Sequence, residues 1–201
     1  ADAIALVADL LDRHGIDADT HSKGETLLAH SPAAMRTIET DCETVIRDYG
    51  VTPTLHDARD LDRQGLSGPF HGGVTVPLGF ALNPRKYLAG LLGAAERAGA
   101  RVHGNSPVRN IAPDGDNQSL TLPNGRILAR RLILATNGYS SEDVPGWMAA
   151  RYMPAQSNVL VTRPLTGAET QAAGWTSAQM AFDSRVLLHY FRLMPDNRFL
   201  F

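Results

Sequence analysis

Four small or turn-forming residues follow directly on the apolar run 132–134. They are Ala135, Thr136, Asn137 and Gly138. A continuous apolar run is typical of a buried strand in a parallel sheet, and ligands bind beyond the carboxyl ends of such strands. Residues with little side chain let a bulky ligand approach the backbone. The pattern therefore predicts a strand at 132–134 with a ligand contact just after it, and a tight turn that only packs is the alternative.

The elements around this segment are predicted from periodicity and capping signals. A helix is predicted over residues 84–98, because Asn83 is suited to cap it and Gly99 is suited to end it. Its predicted buried stripe consists of Leu88, Leu91, Leu92 and Ala95. Short strands are predicted at residues 101–103, 107–111, 119–122 and 126–129, with hairpin turns at 114–115 and 124–125.

The two ends of the chain show similar signals. Helices are predicted at residues 1–14 and 32–49, strands at 25–30 and 153–162, and short extended pieces with turns between residues 51 and 80. Thr166 and Glu169 form a capping-box pattern for one short helix that ends before Gly174. Residues 185–201 are predicted to form a hairpin that turns at residues 195–197.

Composition limits the classes of function. The chain has 201 residues, 43% of them hydrophobic, and a formal net charge of -2, which suits one or two domains with a real core. Basic residues are scattered, and no apolar run approaches the roughly 20 residues that cross a bilayer, so we expect neither nucleic acid nor a membrane as partner. Cys42 is the single cysteine, which favours a reducing, cytoplasmic setting without disulfides or a metal–thiolate cluster.

The order of three motifs resembles a known family. Between residues 82 and 139 the chain reads LNPxxYLxGLLxxAxxxGA, then xVxxI, then LPNGRILARRLILATNGY. This order is similar to the flavin-dependent oxidoreductases of the D-amino-acid oxidase superfamily, in particular to the gamma-glutamylputrescine oxidase-like branch of amine oxidoreductases. In that branch ATN often follows the second flavin-contacting strand. The resemblance covers nearly the whole chain.

The resemblance implies an α/β fold that is α+β within this chain. It would comprise part of an FAD-binding Rossmann-like domain and a mostly antiparallel substrate sheet with flanking helices. Residues 1–80 would hold the helical part of the FAD domain and the start of the substrate domain. Residues 81–150 would hold a further FAD-binding portion, and residues 151–201 the substrate-binding antiparallel sheet.

One element of that family has no counterpart in the sequence. A G-x-G-x-x-G turn needs two glycines separated by a single residue, so that backbone amides meet the pyrophosphate at a helix start, and no glycine pair here has that spacing. The chain also begins inside a predicted helix and ends in an apolar strand. We therefore expect an internal fragment that lacks this turn and the C-terminal flavin strand, binds FAD weakly and is inactive by itself.

The resemblance also implies roles for individual residues. Val108 lies where family members bond the flavin's adenine through backbone groups, and residues 135–138 lie beside its diphosphate and ribose. Tyr190 and Arg192 resemble a substrate-facing segment in which the guanidinium could hold a carboxylate by a two-pronged bond. An ordinary buried valine and a salt-bridged surface arginine are the alternatives. No catalytic residue and no metal ligand are assigned.

The expected parent is an FAD-dependent enzyme that oxidises an amine or amino acid. By resemblance, a hydride passes from the carbon next to nitrogen to the flavin, the imine hydrolyses, and the flavin is reoxidised by oxygen or another acceptor. A non-catalytic module that binds a small amine or acid is the alternative. A strand followed by G-x-G-x-x-G upstream of residue 1 would favour the enzyme.

Overall fold

The computed structural model describes residues 2–201, which form two compact units. The larger unit consists of residues 2–98 and 159–201, and the smaller one of residues 99–158. The predicted division at residues 80 and 150 stays a prediction.

The helices begin and end largely where the capping signals predict. The described residues form α1 (Asp2–His14), α2 (Pro32–Tyr49), α3 (Ala58–Arg63), α4 (Pro84–Arg97) and α5 (Gly167–Ala172). The side chains of Ser31 and Asn83 accept hydrogen bonds from amides in the first turns of α2 and α4, and Thr166 forms the capping box of α5. These caps are confirmed. The short helix α3 was not predicted, because six residues carry too little periodicity to distinguish a helix from a turn.

Helix α4 buries a different face from the predicted one. Leu88 and Leu92 are 68% and 42% exposed, whereas Ala94 is buried. A side chain at Gly90 would overlap that of Ile16, just beyond α1. The small residues thus form the close contact because they let the backbones approach. The predicted buried stripe was wrong for Leu88, Leu92 and Ala95, which are all exposed.

The strands form one sheet in each unit. In the larger unit they are β1 (Glu25–Leu28), β2 (Thr54–His56), β3 (Gly73–Val76), β7 (Met180–Asp183), β8 (Tyr190–Leu193) and β9 (Phe199–Leu200). In the smaller unit they are β4 (Asn110–Asp114), β5 (Asn117–Leu122) and β6 (Gly125–Ala129). The larger sheet has the order β2-β3-β1-β7-β8-β9, in which β1 and β7 are parallel and the other pairs antiparallel. The predicted α+β fold with a mostly antiparallel sheet is confirmed.

Side chains of the larger sheet alternate between two faces. The first face carries the main core, whose fully or partly buried members are Leu28, Leu61, Leu66, Phe70, Trp175, Ala181, Phe191, Leu193 and Phe199. The second face carries Leu27 and Val74, which pack with Ile38 of α2. Because the side chains of β8 alternate, Phe191 lies on the first face, and Tyr190 and Arg192 lie on the second.

Two predicted strands are not found among the described residues. Residues 132–134 form no strand, and Ile133 is 87% exposed. A strand needs a hydrogen-bonded neighbour, and no segment of residues 2–201 pairs with this one. Residues 101–103 are likewise irregular, because they too have no pairing partner. These two predictions were wrong for the structure as described.

The remaining β predictions hold in part. Of the predicted strand 153–162, only residues 160–162 pair, with residues 199–201. The hairpin turns of the smaller sheet lie at residues 115–116 and 123–124, one residue from their predicted places, because the register joins Asp114 to Asn117 and Leu122 to Gly125. The turn at residues 195–197 is confirmed.

A buried polar chain crosses the first face of the larger sheet. Gln64 Nε2 lies 2.9 Å from His56 Nδ1, and His56 Nε2 lies 2.8 Å from Thr75 Oγ1. Thr75 Oγ1 in turn lies 2.8 Å from Thr26 Oγ1. Burial lowers the pKa of His56 below its ordinary value of 6.5, because the neutral ring is favoured there. This network ties strands β2, β3 and β1 to the end of α3.

We expect acid to lower the stability of the larger unit because His56 becomes protonated. Since its folded-state pKa is lowered, the unfolded chain takes up the proton first, and stability falls as pH decreases below 6.5. Between about pH 7.5 and about pH 5.5, the melting temperature of His56→Gln should drop less than that of wild type. At the higher pH the variant should be about 1–3 kcal/mol less stable than wild type, because the buried hydrogen bonds of His56 are lost. Thermal unfolding of both proteins tests this. His103→Gln, which changes an exposed histidine of the smaller unit, is the control. If the melting temperature changes with pH equally in wild type and in His56→Gln, His56 does not cause the loss of stability in acid.

Candidate functional site

Residues 135–138 form an exposed turn. A short 3-10 helix at Asn137–Tyr139 is closed by hydrogen bonds from Tyr139 N–H to the Thr136 carbonyl (3.0 Å) and from Ser140 N–H to the Asn137 carbonyl (3.1 Å). The hydroxyls of Thr136 and Ser140 lie 2.6 Å apart and hold the turn from the side. Asn137 has φ 46°, a left-handed conformation that asparagine tolerates. The chain therefore presents its backbone at this turn without a helix or strand to cover it.

This turn has room for a ligand and donors to bind one. The backbone amides of residues 135–138 have no acceptor among the described residues. No heavy atom lies within 4 Å of the place where a Cβ on Gly138 would stand. Unpaired, exposed amides can donate to the oxygens of a phosphate or a ribose. Gly138 does not have a left-handed φ, so it is the space beside it that makes this glycine useful.

Val108 lies in the same unit, just before β4. Its side chain is half-buried, and its backbone N–H and carbonyl have no hydrogen-bond partner among residues 2–201. The next residue, Arg109, donates its N–H to the Thr121 carbonyl at 2.8 Å, so the segment extends the β4–β5 pairing. Val108 thus lies just before β4 with free backbone groups, which bonding to an adenine would need.

Tyr190 and Arg192 share the second face of strand β8 in the larger unit. Tyr190 is 59% exposed, and Arg192 is half-buried. Among the described residues Arg192 makes no ion pair, and its buried Nε has no acceptor. The surface salt bridge that was its alternative interpretation is therefore not observed within residues 2–201. A carboxylate could satisfy this guanidinium by a charge-assisted, two-pronged bond.

The sequence did not reveal the buried carboxylate that anchors β8. Asp183 is 1% exposed and accepts hydrogen bonds from the backbone N–H groups of Arg185 (3.2 Å) and His189 (3.1 Å). His189 Nδ1 lies 2.8 Å from its other oxygen, which the Arg185 guanidinium also contacts. Burial opposes the charge of Asp183, but these hydrogen bonds outweigh it and hold its pKa below the ordinary value. The ionised carboxylate therefore ties both ends of the β7–β8 loop.

A weak sequence signal for this anchor exists. Asp183 ends the run Met-Ala-Phe-Asp, and an acid that directly follows an apolar strand is a candidate for a loop-holding group. The six-residue separation between Asp183 and His189 matches no helical or metal-ligand spacing. The contact of His189 with Asp183 is structural, because it closes the loop between β7 and β8.

Replacing Asp183 by asparagine should destabilise the larger unit and disorder the start of β8. The charge-assisted bonds to Arg185 and His189 are lost, which costs about 1.5–3 kcal/mol in the free energy of unfolding. Chemical denaturation measures this loss. Asp196→Asn, in the exposed turn between β8 and β9, is the matched control and should change stability little. Equal effects of the two variants would show that Asp183 does not anchor the loop.

Other kinds of site were sought in the part of the chain that the structure describes. No three His, Cys, Asp or Glu side chains in residues 2–201 are grouped so that they could hold a metal ion. None of the described helices is long and apolar enough to cross a membrane.

Comparison with known proteins defines the family. The model of the FAD dependent oxidoreductase family DAO matches residues 1–201, and the chain belongs to this family. It is 24% identical over 204 residues to a probable oxidoreductase OrdL of Haemophilus influenzae and 27% identical over 197 residues to gamma-glutamylputrescine oxidoreductase of Escherichia coli. These matches cover 100% and 98% of this chain but 47% and 45% of the relatives. The chain therefore spans about half the length of the curated relatives it matches.

Solved structures of the same family share the fold. Glycine oxidase from Geobacillus kaustophilus superposes with a TM-score of 0.72 at 19% identity, over 98% of this chain and 51% of that enzyme. L-Proline dehydrogenase from P. horikoshii superposes with a TM-score of 0.73 at 12% identity, over 99% of this chain and 52% of that enzyme. At these identities the likeness establishes the fold alone.

The residues present fit part of an FAD site. The family is FAD-dependent. The unpaired amides at residues 135–138, the open space beside Gly138 and the free backbone groups of Val108 suit a flavin nucleotide. The glycine-rich turn that would bind the pyrophosphate is not among these residues.

Proposed function

We propose that the whole protein is an FAD-dependent enzyme that oxidises a carbon–nitrogen bond in an amine or amino acid. The observation that carries this proposal is the unpaired guanidinium of Arg192, beside the exposed Tyr190 on one face of the sheet. Family membership and relatives that include an amine oxidoreductase and amino-acid oxidases support it. The chemistry that FAD supplies when bound is acceptance of a hydride from the carbon next to nitrogen.

The chain's own residues bind and orient the substrate. Arg192 holds a carboxylate with two parallel N–H···O bonds, which fixes the direction of the substrate as well as its place. Tyr190 offers a phenolic hydroxyl and a ring on the same face of β8. Asp183 holds the loop that leads into this strand and thereby keeps both side chains in register.

Residues of the smaller unit would hold part of the cofactor. In this proposal the backbone of Val108 bonds the adenine, and Ala135, Thr136, Asn137 and Gly138 contact the diphosphate and ribose. Residues 81–150 would then complete a Rossmann-like FAD domain, and residues 151–201 the substrate sheet. A cytoplasmic location is proposed as well, supported by the single cysteine, Cys42.

Anaerobic titration of the full-length, FAD-loaded protein tests the proposal. Amino acids such as glycine and L-proline and matching amines without a carboxylate are added in turn, and loss of the oxidised flavin absorbance is followed. We expect reduction by at least one amine that carries a carboxylate. Protein that stays oxidised with every amine and amino acid in such a panel, although dithionite reduces it, would contradict the proposed activity.

A further inference from the structure

Two asparagine–glycine pairs lie at exposed turns of the smaller unit. They are Asn124–Gly125 and Asn137–Gly138. In such a pair the backbone nitrogen of the glycine can attack the side-chain amide of the asparagine, because glycine has no side chain that hinders the approach. The attack needs a glycine N–H that is not held in another hydrogen bond. The backbone around each pair therefore decides whether its asparagine reacts.

The hairpin between β5 and β6 holds the N–H of Gly125. This residue begins β6 and pairs with Leu122 across a two-residue turn. The pair that closes such a hairpin exchanges backbone hydrogen bonds, so the N–H of Gly125 donates within the sheet. Attack on Asn124 would first have to break this bond and open the end of the hairpin.

The second pair has no such restraint on its reacting groups. The N–H of Gly138 has no acceptor among residues 2–201, and the side-chain amide of Asn137 makes no hydrogen bond within the same residues. Both residues are exposed, so water reaches them. The nucleophile and the group that it attacks are thus adjacent in the chain and unengaged.

Ser140 activates the peptide group that joins Asn137 to Gly138. Its backbone N–H and its hydroxyl both donate to the Asn137 carbonyl, at 3.1 Å and 2.8 Å. Hydrogen bonds to a carbonyl polarise the peptide group and draw electrons from its nitrogen. The N–H of Gly138 is therefore more acidic than that of a peptide whose carbonyl is free, and the deprotonated nitrogen is the form that attacks.

We propose that Asn137 is a modification site that converts spontaneously to aspartate and isoaspartate, whereas Asn124 is protected by its hairpin. The nitrogen of Gly138 gives up its proton and bonds to Cγ of Asn137. The bond from Cγ to Nδ2 breaks, and ammonia leaves with that proton. The resulting succinimide ring takes up one water molecule and opens at either of its carbonyls. No oxidant or reductant takes part.

The modification bears on the cofactor contact proposed for residues 135–138. Either product adds a carboxylate to the turn, which repels a diphosphate and should lower the affinity for FAD. Bound FAD, in turn, covers the turn and should slow the reaction of Asn137. These two effects rest on the proposed function, whereas the modification itself does not.

Incubation of the full-length apoprotein at mildly alkaline pH tests the modification. Peptide mass spectrometry follows the conversion of Asn137 and Asn124, and chromatography separates the isoaspartate peptides from the aspartate peptides. We expect Asn137 to convert roughly two- to tenfold faster than Asn124, since at Asn137 no backbone hydrogen bond has to break first. Equal rates at the two asparagines, or aspartate without isoaspartate at Asn137, would overturn the proposal.

The variant Gly138→Ala tests whether the nitrogen of residue 138 is the nucleophile. Alanine fits this turn, because no atom lies within 4 Å of its Cβ position and Gly138 has no left-handed φ. Its methyl group hinders the nitrogen, so conversion of Asn137 should slow several-fold while that of Asn124 stays unchanged. An unchanged rate at Asn137 in this variant would also contradict the proposal.

The same incubation of the FAD-loaded protein separates the modification from the cofactor contact. Slower conversion of Asn137 than in the apoprotein, with Asn124 unaffected, supports both. Equal conversion of Asn137 with and without FAD supports the modification and contradicts the contact of FAD with residues 135–138. An Asn137 that stays intact in both preparations overturns the modification, and FAD binding is then judged by titration alone.

Discussion

Replacing Arg192 by lysine is expected to lower kcat/KM for a carboxylate-bearing substrate by roughly one to two decades, with the FAD content unchanged. Lysine keeps the positive charge but loses the planar fork that holds both carboxylate oxygens. Charge-assisted bonds of this kind contribute about 1.5–3 kcal/mol. Arg192 makes no ion pair or side-chain hydrogen bond among the described residues, so its guanidinium is available to a carboxylate.

Steady-state kinetics with a carboxylate substrate and its amide analogue measure this effect. Arg198→Lys is the matched control, because Arg198 lies in the same hairpin but already pairs with Asp196 at 3.1 Å and is exposed. It should leave both substrates unaffected. If Arg192→Lys keeps the wild-type preference between acid and amide, Arg192 does not anchor a carboxylate.

Local signals in the sequence predicted most helices and one hairpin correctly. Ser31, Asn83 and Thr166 cap α2, α4 and α5 because a cap depends only on a side chain and the amides of the next turn. The turn at Asn197 is likewise local, since asparagine tolerates its φ of 61°. Such contacts span few residues, and the sequence pattern contains all of them.

Features that depend on distant partners were predicted less well. The apolar run 132–134 has the composition of a strand but pairs with nothing among the described residues. The buried face of α4 is set by Gly90 against Ile16, a contact between segments far apart in the chain. The state of Arg192 was also undetermined, since an ion pair and a free guanidinium look the same in a sequence.

Family resemblance alone placed Val108, Tyr190 and Arg192, whereas the residue pattern also pointed to residues 135–138. Nothing in the spacing of Val108 distinguishes it from an ordinary buried valine, and the structure adds only that its backbone groups are free. The Asp183 anchor was missed, although it explains how β8 is held. Its role depends on complete burial, which no local pattern predicts.

Replacing Gly138 by valine in the full-length protein should lower FAD occupancy much more than it lowers the stability of the larger unit. The reason is bulk in ligand space, because the space beside Gly138 is open. Backbone strain does not contribute, because Gly138 has no left-handed φ. An isopropyl group in that space would cost about 1–3 kcal/mol of binding free energy, roughly one to two decades in the FAD dissociation constant.

Flavin absorbance per mole of purified protein and FAD titration of the apoprotein measure the effect of Gly138→Val. Gly146→Val is the matched control, because Gly146 also lies in a short 3-10 helix of the smaller unit with no neighbouring atom within 4 Å of its Cβ position and no left-handed φ. Any cost of valine to such a turn is therefore common to both variants. A loss of FAD confined to Gly138→Val would mean that the cofactor occupies the space beside this turn. Equal FAD occupancy in both variants would mean that residues 135–138 form a turn that only packs and contacts no ligand.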